Sequence, residues 1–230
     1  MVDNERRWTG LAGLSTLALT LVVMPLHFIH EAAPPVSVVA TRGVVNGFTC
    51  VGLLIFLAGI RHLARREPVA ELAAMLALIS GVGFVAVTLV ADAMHLGSAL
   101  LAGGGVDPTR IGGGAEGAIV LLGPTARLLT AVTVTFAGVA LARAVLVPGS
   151  VVVAAYVVTL GQLALVPTAW SGTDPANFYN INGWGVAVAG GVFVLWVAFA
   201  GLALFRRPAA SHPQVLGPGP RNGAEAAAEA

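Results

Sequence analysis

His27 and His30 stand three residues apart at the end of one long apolar run, and Asp92 and His95 stand three apart at the end of another. On a helix that spacing puts both members of a pair on one face. Three imidazoles and a carboxylate make a donor set for zinc or another divalent first-row metal, with one coordination position left for water. A metal held this way makes bound water more acidic for hydrolysis, or polarises a substrate oxygen. Without a metal, the same side chains form an acid–base centre. Plain solvation accounts for them as well, because histidines and acids are at ease where a helix enters the headgroup region. No HExxH spacing occurs to single out the metal. Pro25, just before His27, is expected to break or kink the helix and turn His30 away from His27.

A second set of residues is suited to binding. Arg127 follows Pro124 and Thr125, a turn or more inside an apolar run. A guanidinium at that depth calls for an acid or an anionic headgroup, and Asp92 and Glu116 are the candidate acids. Arg42 opens another run, with Asn46 one turn further along. Two arginines at one membrane face suit a phosphate or carboxylate; snorkelling to lipid headgroups would satisfy them equally. The segment between Trp170 and Trp184 carries Asp174, Tyr179 and Asn182, which read as substrate contacts on a covering loop. The flanking indoles fit the headgroup belt.

The elements that must position these side chains follow from composition. Of 230 residues, 57% are hydrophobic and only 10% are charged, where an ordinary soluble domain carries about 25% charge. Apolar runs lie near 8–29, 43–63, 69–93, 124–146, 150–168 and 184–205. A helix needs about 20 residues to cross roughly 30 Å of hydrocarbon, so the expected fold is all-α: a polytopic integral membrane bundle of about six transmembrane helices. The first run follows Arg6 and Arg7 in the manner of a signal peptide. It is too long for a signal core, however, and Pro34-Pro35 stands where cleavage would fall. It reads as an uncleaved helix.

Arginine placement orients the bundle. Arg6, Arg7, Arg61, Arg65, Arg66, Arg143, Arg206, Arg207 and Arg221 fall on one side, and only Arg42, Arg110 and Arg127 on the other. Both termini are therefore expected in the cytoplasm. Residues 1–207 form the membrane domain, and the Pro-, Gly- and Ala-rich 208–230 read as a disordered cytoplasmic tail. On the opposite side, Gly103-Gly104-Gly105 and Gly112-Gly113-Gly114 read as a flexible loop. Every basic residue is an arginine, a bias that, with abundant Ala, Val and Gly, fits a GC-rich bacterial genome.

Two sequence patterns bear on packing. Leu57-Ala58-Gly59-Ile60, Phe136-Ala137-Gly138-Val139 and Phe199-Ala200-Gly201-Leu202 recur near the cytoplasmic ends of alternate runs. Gly183, Ala187 and Gly191 repeat every fourth residue in the last run, the spacing at which helices approach closely.

Several function classes are excluded or weakened. A net charge of +1 offers no basic face for nucleic acid. The single cysteine, Cys50, rules out an intrachain disulfide and a thiolate zinc cluster. No ionisable group falls at the bilayer centre, which weakens a proton-driven transporter, and no histidine pair spans the membrane for haem. The expectation is a membrane-embedded enzyme acting on a lipidic or amphipathic substrate at the extracytoplasmic face of a bacterial cytoplasmic (inner) membrane. Its partners would be membrane lipids and other membrane subunits. The alternatives are a non-catalytic accessory or scaffold subunit and, less favoured, a small transporter component.

Overall fold

The computed structural model describes residues 2–26, 34–101, 113–170 and 184–206. His27, His30, Asp174, Tyr179, Asn182 and the tail 208–230 lie outside the described residues. The described residues are almost all helical: α1 (Val2–Leu26), α2 (Val36–Ala64), α3 (Pro68–Leu101), α4 (Gly113–Val120), α5 (Ala126–Arg143), α6 (Gly149–Ala164) and α7 (Trp184–Arg206). A wide π-type turn, Leu121–Thr125, joins α4 to α5, and a 3-10 turn, Val166–Trp170, follows α6. No strand occurs among the described residues. Six helices are long and apolar enough to cross a membrane, α4 and α5 together forming one of them as Gly117–Arg143.

Two helices overrun their apolar runs. α2 starts at Val36 rather than 43, and α3 continues to Leu101 rather than 93. Hydropathy marks only the stretch in hydrocarbon, whereas backbone hydrogen bonding carries a helix on into the polar layer. Pro35, at the N-cap of α2, has φ −56° and ψ 148°, and its carbonyl accepts from the N–H groups of Val38 at 2.9 Å and Val39 at 3.2 Å. Thr41 Oγ1 then donates to Ser37 O at 2.7 Å, keeping the polar first turns helical. The second glycine run requires a correction. Gly113 and Gly114 begin α4 instead of extending a loop, because the chain must turn back early enough for Gly117 to meet Met94 of α3. A Cβ at Gly117 would lie 2.5 Å from Met94 Cε.

The six spans close into a ring, each packed on the next: α1 on α2, α2 on α3, α3 on α5, α5 on α6, α6 on α7 and α7 back on α1. α2 therefore stands between α1 and α3. Phe56, Leu57 and Ile60 of α2 are fully buried, with Val134 and Leu141 of α5 and Val197 of α7. The recurrent glycines explain themselves at helix crossings. Gly59 faces Thr9, and Gly138 faces Ala155. A Cβ at Gly201 would lie 2.8 Å from Gly10 O, so α1 and α7 touch almost backbone to backbone and gain dispersion contacts that lipid cannot supply. This crossing, near the end of α7, is its close approach. Of the expected small-residue stripe, a Cβ at Gly191 would come only to 3.9 Å from Met24, and the side chains at 183 and 187 are outside the described set.

The outward surface is apolar where a bilayer would solvate it: Phe48, Ile55, Ile79, Leu160 and Leu195 are all exposed. One end of the ring is charged. Arg6, Arg7, Arg65, Arg66, Arg143 and Arg206 gather there, with Arg61 3.9 Å from Glu71 and His62 3.2 Å from Glu5. The opposite end carries Arg42, Arg127, Asp92 and His95.

Candidate functional site

α2 and α3 run antiparallel as neighbours, which brings the early turns of α2 beside the late turns of α3. Asn46 Nδ2 donates to Asp92 Oδ2 at 2.6 Å, both residues being partly buried. About 27 Å of helix separates Asn46 from the end of α2 at Ala64, and about 31 Å separates Asp92 from Glu71, at 1.5 Å per residue. In a hydrocarbon layer of about 30 Å starting at those helix ends, the pair would stand close to the far limit. His95, also partly buried, follows one turn later on the Asp92 face. Arg42, one turn before Asn46, donates through Nη2 to Leu26 O, so the start of α2 holds the end of α1. The sequence grouped Asn46 with Arg42 as a substrate contact; the structure gives its amide to Asp92.

Pro25 does not interrupt α1, which continues through it to Leu26. His27 and His30 lie outside the described residues. Among the described residues no three of His, Cys, Asp and Glu come together. Asp92 and His95 are the members of the four-residue set that the structure describes. Cys50 is a buried free thiol one turn deeper than Asn46.

Arg127 belongs to a different cluster. It is 6% exposed on α5, turned into the bundle instead of out to the headgroups. Its Nη1 donates to Gln162 Oε1 of α6 at 3.0 Å, and Gln162 Nε2 donates in turn to Ala189 O of α7 at 2.7 Å. Nη2 reaches Leu122 O at 3.5 Å, a long contact. Asp92, an expected partner, is instead bonded to Asn46. No carboxylate among the described residues lies within 4.0 Å of the guanidinium, the charge pairs there being Arg61–Glu71 and His62–Glu5. The side chain of Glu116, the other expected partner, is not among those described.

The local backbone explains how Arg127 is turned inward. Pro124 supplies no N–H, and Gly123 departs from helical geometry at φ −76°, ψ −112°. The N–H groups closing this wide turn go to the carbonyls of Leu121 and Gly123, and the carbonyl between them, on Leu122, receives the guanidinium. Turns of this π type occur often at functional sites. From Arg127 to the lower end of α5 at Arg143 is about 24 Å, and from Gln162 to Gly149 about 20 Å. This cluster is therefore several ångströms deeper than Asp92.

Gln162 is the residue that sequence reasoning passed over. Along the chain it stands with Tyr156 and Thr159 among the few polar side chains of the apolar run 150–168. The signal available was an uncharged amide with four hydrogen-bonding positions in an apolar helix; such a group, 1% exposed here, must find partners. The remaining polar contacts tie helices together: Thr133 Oγ1 donates to Ser80 Oγ at 2.9 Å, and Thr135 meets Thr159 at 3.0 Å.

Comparison of the chain with protein-family models, with curated proteins and with solved structures finds no match.

Proposed function

We propose that the chain is a membrane-embedded enzyme acting on a lipidic or amphipathic substrate at the extracytoplasmic face of a bacterial cytoplasmic membrane, with Asp92 as its acid–base group. The observation that carries this reading is the Asn46–Asp92 pair. A carboxylate near the edge of the hydrocarbon is costly to keep and marks functional positions. This one is oriented by a neutral amide at 2.6 Å, and no cation among the described residues forms an ion pair with it. It stands at the depth where an amphiphile's polar head meets its tail.

In this reading His95 lies one turn from Asp92 for proton transfer. His27 and His30 either join it or complete a site for a divalent ion such as zinc. Arg42 and Arg127 receive an anionic head, and Asp174, Tyr179 and Asn182 belong to the covering loop. The arginine-rich end faces the cytoplasm, where positive residues accumulate, so the Asp92 end faces outward.

A second reading, a non-catalytic accessory or scaffold subunit, is favoured by a different observation. The interhelical pairs Ser80–Thr133, Thr135–Thr159 and Gln162–Ala189 are typical of polar groups that only hold a bundle together.

The deciding experiment is mass-spectrometric lipid profiling of membranes containing the wild type or Asp92→Asn at matched expression. Products present with the wild type and absent with the variant support the enzyme. Identical profiles sink it and leave the scaffold. Elemental mass spectrometry of the purified wild type and of a His27→Ala/His95→Ala variant separates the two chemistries. Near-stoichiometric metal lost in the variant assigns the imidazoles as ligands; its absence from both leaves acid–base catalysis.

A further inference from the structure

α6 and α7 meet along a seam fastened at two heights. Low on the seam, Trp196 Nε1 donates to Val151 O at 3.1 Å; high on it, Gln162 Nε2 donates to Ala189 O at 2.7 Å. Alongside the lower bond the helices part into an open apolar furrow of about 620 Å³ that ends about one turn short of the upper bond, lined by Val153, Val157, Val158, Val192, Leu195 and Phe199. Val153, Val157 and Leu195 keep more than half of their surface exposed. The furrow therefore opens sideways into hydrocarbon.

Spacing connects this furrow to the buried cation. Gln162 stands one turn above Val158 on α6, and Ala189 lies just under one turn before Val192 on α7. The amide one turn above the furrow is thus the same amide that accepts from Arg127. Behind it the guanidinium keeps its Nε buried without an acceptor, and no acid among the described residues is in range. On the α7 side Gly190 packs beside the guanidinium: a Cβ there would lie 3.8 Å from Nη1, an ordinary contact distance. A guanidinium with no acid in range among the described residues, standing behind the amide one turn above an apolar slot, favours an anion. An anion approaching through that slot has to be carried on a hydrocarbon chain.

We propose that the α6–α7 seam binds an anionic lipid, with one chain along the furrow and its phosphate or carboxylate drawn to Arg127 as Gln162 turns aside. This rests on the reading that an amphiphile is received at this end of the bundle, and it names that amphiphile's class. It does not depend on turnover.

Trp196 lines the furrow and reports on it. The full-length protein, with Trp8, Trp170 and Trp184 replaced by phenylalanine, is reconstituted in phosphatidylcholine vesicles. These are doped with bromine-labelled phosphatidylglycerol or, in parallel, with bromine-labelled phosphatidylcholine. The anionic lipid is expected to quench Trp196 with about fivefold higher apparent affinity, the scale of one lipid–arginine attraction. Arg127→Gln removes that preference. Equal quenching by the two lipids, or a preference that survives Arg127→Gln, overturns the proposal. Reversal of the quench by inorganic phosphate also overturns it, by showing a free-anion site. If Arg127→Gln does not accumulate, Val153→Phe/Val157→Phe decides instead: these positions face lipid, and filling the furrow must abolish the preference. Asp92→Asn must leave the preference intact. A preference without lipid turnover keeps the seam and discards the enzyme, whereas turnover without a preference does the reverse.

Discussion

Arg127 and Gln162 share a 3.0 Å hydrogen bond across α5 and α6, and the same glutamine passes its N–H to the Ala189 carbonyl of α7. One neutral side chain thereby links three helices around a buried charge. Gln162→Leu leaves the guanidinium without its best acceptor and is expected to cost about 1.5–3 kcal/mol, the range for hydrogen bonds to charged groups. Arg127→Met combined with Gln162→Leu should recover most of that loss, because removing a buried charge together with its partner is close to neutral. Thermal unfolding in detergent measures both. Losses that simply add would show that the two residues act independently.

The Asn46–Asp92 contact joins residues on neighbouring helices, and its strength is measurable apart from any activity. A double-mutant cycle of Asn46→Ala and Asp92→Ala is expected to give a coupling of about 0.6–1.7 kcal/mol, as found for hydrogen bonds between membrane helices. A coupling of zero would mean that the 2.6 Å contact carries no weight in the bilayer.

The α1–α7 crossing tolerates no side chain. Gly201→Val places a Cβ 2.8 Å from Gly10 O and 3.2 Å from Gly13 Cα, so the two helices must separate, at a cost of about 1–3 kcal/mol typical of overpacking. Gly161→Ala on α6 meets nothing within 4 Å. It should stabilise by about 0.5–1 kcal/mol, since alanine loses less backbone freedom in a helix. Melting temperatures of the two variants should move in opposite directions.

A fluorescent reporter fused after the last residue is expected to mature, as it does in the cytoplasm, while alkaline phosphatase at the same point stays inactive. Active phosphatase would reverse the bundle and put the Asp92 end inside.

The lessons of sequence and structure divide at helix rotation. Hydrocarbon thickness sets how long an apolar segment must be, and the cost of moving arginine across it sets which end is charged. Six spans and the gathering of Arg6, Arg65, Arg143 and Arg206 at one end were therefore legible from order alone. So was the placement of Asp92, His95, Arg42 and Arg127 at the other end. The partner of each was not. Gln162 is 35 residues from Arg127, and Asp92 is 46 from Asn46. Whether they meet depends on how each helix is rotated about its axis. In water an amphipathic stripe reveals that rotation; in lipid every face is apolar, and Ala, Val and Gly on all sides leave no stripe to read. Rotation was decided by contacts the chain makes only once folded. The Gly10–Gly201 approach fixes α1 on α7, and the turn at Gly123-Pro124 swings Arg127 inward to Gln162 and away from Asp92.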